Sequence, residues 1–123
     1  MKWVEGRSSN PFSPYYKMKL FESKLLKLDS YILKYPKNSY IEFHKDSAPD
    51  GYIHHRLNIV IKKAVGGEFR LVSDNETFRE STKYYRYGRF NYFKPSEQEH
   101  AVDIIKDGTR YVFSIGWLRK KKI

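Results

Sequence analysis

The segment Lys83-Tyr84-Tyr85-Arg86-Tyr87-Gly88-Arg89-Phe90-Asn91-Tyr92-Phe93-Lys94 interleaves four cations with six aromatic rings and carries no acid. Lysine and arginine neutralise phosphates and release counterions, while tyrosine rings and guanidinium planes stack on unpaired bases. The chemistry this favours is non-covalent capture of a polyanion. In an extended chain Tyr84, Arg86, Phe90, Tyr92 and Lys94 share one face, and Lys83, Tyr85, Tyr87, Arg89 and Phe93 share the other. Lys83, Arg86, Arg89 and Lys94 are therefore assigned to phosphate contact, and Tyr85 and Tyr87 to stacking. Arg119, Lys120, Lys121 and Lys122 add attraction without base preference. Tyrosine mixed with arginine is also the composition of protein interfaces, and cations between aromatics also suit a solvated strand edge.

Catalytic constellations are weaker. Asp50, followed by Glu68-Phe69-Arg70, matches in part the metal-binding pattern of restriction-endonuclease-like nucleases, with arginine where the water-activating lysine belongs. A turn at Gly66-Gly67 would hold Asp50 and Glu68 too far apart to share an ion. His54 and His55 are adjacent, so on a strand they face opposite ways. His44 could meet either one across a sheet, but all read as ordinary surface histidines. There is no glycine-rich phosphate loop and no placed nucleophile. The chain has no cysteine, which excludes disulfides and thiolate metal sites. No catalytic residue, metal or cofactor is expected.

The charge supports a binding role. The chain of 123 residues has a formal net charge of +10. The segments Lys83 to Lys94 and Arg110 to Ile123 hold four and five cations with no acid. Clustered charge makes a local field that a polyanion meets. The length fits one domain over 1–123, with an irregular segment at 1–13 and a basic tail at 119–123. No apolar run approaches the roughly 20 residues of a membrane span, so a soluble, cytoplasmic protein is expected.

The elements that must position these residues read as α-β-β-β-β-α-β. Ser13-Pro14 opens a helix, with Met18, Phe21, Leu25, Leu28, Ile32 and Tyr35 as its apolar stripe to a stop at Pro36. Strands follow at Tyr40 to Lys45, Arg56 to Lys63, Glu68 to Ser73 and Thr82 to Lys94, the middle two joined by a hairpin at Gly66-Gly67. A two-residue turn there leaves Phe69 and Leu71 on the wrong face relative to Leu57, Ile59 and Ile61. A bulge, a longer loop or a sheet covered on both faces would repair this. Ser96-Glu97-Gln98-Glu99 resembles a capping box and predicts a second helix over 96–107, with a hairpin through Asp107-Gly108 as competitor. Arg110 to Leu118 is the last strand.

The expected fold is α+β, one sheet of about five strands with a long N-terminal helix and a shorter second helix. The expected function is a non-enzymatic nucleic-acid-binding domain, for DNA or RNA. The alternative is a small inhibitor or adaptor docking on an acidic protein surface, and a metal-dependent nuclease ranks below both. Oligomeric state is open.

Overall fold

The computed structural model describes residues 2–6, 10, 12–73, 76–79 and 90–121. They contain no helix and twelve strands. These are β1 (Val4–Glu5), β2 (Tyr16–Ser23), β3 (Leu28–Tyr35), β4 (Ile41–His44), β5 (Tyr52–Lys62), β6 (Val65–Gly66), β7 (Phe69–Ser73), β8 (Glu76–Arg79), β9 (Phe90–Phe93), β10 (His100–Val102), β11 (Ile105–Asp107) and β12 (Arg110–Lys120). The expected α+β fold is corrected to all-β.

Two sheets carry the architecture. One has six strands in the order β1-β2-β3-β12-β5-β9, the other four in the order β4-β10-β7-β8, and β11 pairs with β6 as a small third ladder. Neighbouring strands are antiparallel throughout. A single core draws on both sheets: Tyr35, Phe93 and Val112 from the larger, Phe69, Leu71 and Val102 from the smaller, with Ile105 beside them. Phe69 meets Phe93 across the gap with ring centroids 4.8 Å apart. The sheets therefore pack face to face, and every second residue of a strand points into the space between them. On β12 the inward set is Arg110, Val112, Ser114 and Gly116, all buried.

The expected first helix is a hairpin. β2 and β3 pair antiparallel, with Met18 opposite Ile32 and Lys17 opposite Leu33. Ser13 does not cap a helix; its hydroxyl donates to the Lys37 carbonyl at 2.7 Å. The β-branched and aromatic residues Tyr31, Ile32 and Tyr35 suit a pleated surface better than a helix. The second expected helix is also absent: 95–98 is a turn, and β10 and β11 follow.

The register conflict at Gly66-Gly67 has a simple origin. β5 and β7 exist as expected, but they belong to different sheets. The chain crosses from one to the other through Gly66 and Gly67, at φ 76 and 72, a conformation that costs glycine little. Asn58 and Val60 on one side, and Phe69 and Leu71 on the other, then all face the interior.

Among the described residues no helix is long and apolar enough to cross a membrane. Ile105 is fully buried where the crossing meets both sheets. Ile105→Ala is expected to destabilise the fold by about 2–5 kcal/mol, read as a lower urea midpoint at unchanged slope.

Candidate metal centre

The smaller sheet brings two histidines together. His44 ends β4 and His100 opens β10, and the two are direct partners in the antiparallel register. Their ring centroids lie 4.3 Å apart. Two residues beyond His44 the chain has left the strand, and the Asp46 N–H donates to the Pro95 carbonyl at 2.9 Å. This places the carboxylate over both rings. Asp46 Oδ1 is 3.4 Å from His44 Nε2, and Asp46 Oδ2 is 3.4 Å from His100 Nε2.

The other nitrogen of each ring is already committed. His44 Nδ1 lies 2.8 Å from the Glu42 carbonyl oxygen, and His100 Nδ1 lies 3.0 Å from that of Gln98. A carbonyl can only accept, so each Nδ1 must carry the hydrogen. In the neutral ring the free lone pair is then on Nε2, facing Asp46. An imidazole held this way is the usual form of a metal ligand. One donor atom from each of the three residues lies within 4.8 Å of the others. That is close to the span needed by one ion with ligands about 2.1 Å away.

The surroundings hold the arrangement. Phe93 and Phe69 pack against the His100 ring at 4.9 and 6.3 Å. The Gln98 side chain accepts the Lys94 N–H at 2.8 Å, fixing the turn whose carbonyl orients His100. Burial alone would raise the Asp46 carboxyl, but hydrogen bonds and charge from His100 and His44 outweigh it and hold the group well below the usual carboxylate range. The hydrogen bond to Asp46 raises His44, against the opposing effect of burial.

The three residues open into a cavity of about 330 Å³ between the sheets. Tyr31, Leu33, Ile41, Phe69 and Phe93 supply its rings and aliphatic groups, and Lys17, Asp29, His54 and Arg56 supply polar ones. Burial, followed by the nearby Arg56, pushes the His54 imidazole down.

His54 and His55 face opposite ways, as expected. His55 lies outside the cavity, in a cluster with Tyr92 and Trp117 at centroid distances of 6.0 and 5.7 Å. The partner of His44 is neither of them but His100, which sequence reasoning did not single out. A visible signal existed in His44-Lys45-Asp46, two ligand types one residue apart, but its third member lay inside the expected helix. Arg70 of the partial nuclease pattern pairs with Asp103 at 2.8 Å, and neither Asp50 nor Glu68 belongs to the His44, Asp46 and His100 cluster.

Of the residues assigned to polyanion binding, Lys83, Tyr85, Arg86, Tyr87, Arg89 and Lys122 lie outside the described residues. Lys94 is half-buried at the turn after β9, and Arg119, Lys120 and Lys121 are exposed at the end of β12. Arg119 and Lys120 belong to the strand rather than to a tail. In β9, Phe90 and Tyr92 are exposed while Asn91 and Phe93 are buried.

No family model and no curated protein matches this sequence. Solved structures do match in shape. A prolyl-4-hydroxylase from Pseudomonas putida superposes with a TM-score of 0.70 at 13% identity, over 98% of this chain and 79% of that one. A cupin domain from Rhodospirillum rubrum gives 0.58 at 10% identity, over 98% of this chain and 72% of that one. The cupin domain of an XRE-family transcriptional regulator from Enterobacter cloacae gives 0.54 at 16% identity, covering 84% of this chain and 95% of that one. The fold is therefore cupin-like. This fold, with its polar cluster turned inward, overturns the expectation of a nucleic-acid-binding α+β domain built around an outward basic surface.

The protonation states fix the sign of a pH effect in metal-free protein. The lowered Asp46 contributes stability above its unfolded value near 3.9, lost as pH falls through the folded pKa. The raised His44 contributes below its unfolded value near 6.5, lost as pH rises through the folded pKa. The urea midpoint should therefore decline on both sides of mildly acidic pH, and Asp46→Asn should flatten both limbs.

Proposed function

We propose that this chain is a metal-dependent enzyme that holds one divalent transition-metal ion, best ferrous iron, at His44, Asp46 and His100, and that it oxidises a small organic molecule in the adjoining cavity with dioxygen as the electron acceptor. One observation carries the reading. Both imidazoles are hydrogen-bonded through Nδ1 to backbone carbonyls, so both Nε2 atoms turn toward the same carboxylate. A histidine pair serving only as packing has no need for that shared aim.

The residues fit the ion. Two neutral nitrogen donors and one carboxylate oxygen suit a first-row transition metal, and this trio on one face of an ion, with open positions opposite, is the donor set of non-haem iron oxygenases. The neighbour with a TM-score of 0.70 is a hydroxylase by name, which supports an oxidative reaction.

The chain's own residues have definable tasks. The Glu42 and Gln98 carbonyls fix ring tautomer and orientation. Asp46 stays ionised and supplies the negative charge that offsets part of the ion's. Phe69 and Phe93 exclude water beside His100. His54 lines the same cavity, and burial favours its neutral form. It is thereby able to accept a proton from a bound molecule.

Anaerobic titration with Fe²⁺ or Mn²⁺, followed by calorimetry and elemental analysis, tests the proposal. One equivalent is expected per chain. Asp46→Asn and His100→Gln should each weaken binding at least about 100-fold while circular dichroism stays that of a β-protein. Folded wild-type protein that takes up no stoichiometric metal would refute the reading.

A further inference from the structure

We propose that Lys17, Tyr31 and Arg56 form a subsite for the anionic end of the substrate, which is a small organic carboxylate. This deepens the functional reading above and rests on it in taking the cavity as the place where substrate lies.

Strand alternation puts Lys17 of β2, Asp29 and Tyr31 of β3, and Arg56 of β5 on the cavity wall. The Arg56 guanidinium lies against the bare backbone of Gly116, where an added Cβ would fall 2.2 Å from Nη2. It ion-pairs with Asp29 and donates from Nη1 to Ser114 Oγ at 2.6 Å. Ser114 passes its own hydrogen to Asn58 Oδ1 at 2.5 Å. Arg56 is thus a fixed cation whose charge Asp29 already balances. Lys17 is different. Its ammonium lies 5.8 Å from the centre of the Tyr31 ring, whose centre is also 5.9 Å from the Arg56 guanidinium carbon. Among the described ion pairs none involves Lys17.

The charged groups of the wall differ in how they are paired. Asp29 is taken up by Arg56, and Asp46 lies against His44 and His100. Among the described ion pairs the Lys17 ammonium is the wall charge left without a counter-ion, and in a half-enclosed cavity it favours an anion. A metal ion, where bound, would add to that positive field without being required for it. The one ammonium without a carboxylate partner suits a single carboxylate head, supported by the Tyr31 hydroxyl as a further donor. Leu33, Ile41, Phe69 and Phe93 leave an apolar space for the rest of the molecule. At about 330 Å³ the cavity is at the small end of ligand sites.

The test uses metal-free full-length chain and two probes of equal shape, phenylacetate and neutral phenylacetamide, titrated by heteronuclear NMR. The acid is expected to bind at least about tenfold tighter than the amide. Lys17→Met should cost about tenfold or more, and Lys17→Arg should retain most of the affinity. Equal binding of acid and amide, an acid Kd weaker than about 10 mM, or full affinity in folded Lys17→Met would each overturn the subsite. A parallel Mn²⁺ titration reads the metal centre separately. Lys17-dependent acid binding in a chain that takes up no Mn²⁺ would remove the metal reading and leave the carboxylate subsite standing.

Discussion

The register between β4 and β10 is the constraint on which the site depends. His44 and His100 face one another because they are directly opposed across that ladder. A slip of one residue would send one ring out of the interior and set a neighbour such as Phe43 or Ala101 in its place. The register is held from both sides. Val102 pairs with Ile41 after a local irregularity, and Val102 and His100 also pair with Phe69 and Leu71 of β7. The apolar core therefore aligns the polar centre. Packing supplies positional accuracy that hydrogen bonds alone, each worth about 1 kcal/mol net, would not.

How much of this was legible depends on where local signals were honest. Alternation exposed Ile41–His44, most of β5, β7 and β12, because each of these strands mixes inward and outward residues in period two. The β2–β3 hairpin was hidden. Met18, Phe21, Leu25, Leu28, Ile32 and Tyr35 fall at helical spacing by coincidence, since Met18 and Ile32 oppose each other on two strands and Leu25 is 89% exposed in the turn. The turn itself was silent: Lys27 takes the left-handed conformation, φ 53, that glycine or asparagine would have advertised. At Ser96-Glu97-Gln98-Glu99 the polar groups that resemble a helix start instead stabilise a tight turn, with Gln98 bonding back to Lys94. Once that stretch reads as helix, His100 has no reason to meet His44. The Phe69 and Leu71 register conflict was an informative clue, as it marked the change of sheet.

The interior is more polar than a typical sandwich core. Asn58, Asn91, Arg110 and Ser114 are buried together with His100. Such groups destabilise an interior unless satisfied, and the Asp29–Arg56–Ser114–Asn58 network shows how part of that requirement is met. Tyr35, deep in the same space, is pushed up by burial and then by Tyr15, so it stays a neutral hydroxyl. Retaining this polarity inside a domain of this size makes sense where the space between the sheets holds a ligand rather than only side chains.

β12, the last strand in sequence, is central in the larger sheet, between β3 and β5. During synthesis both of those strands emerge long before the one that joins them. Until Arg110–Lys120 is made, the nascent chain has two unjoined half-sheets with open backbone edges, the state most exposed to pairing with other chains. Joining residues so distant in sequence is also slow, because loop closure must precede the contacts that reward it. The order in which this chain leaves the ribosome thus delays completion of the larger sheet until Arg110–Lys120 has emerged.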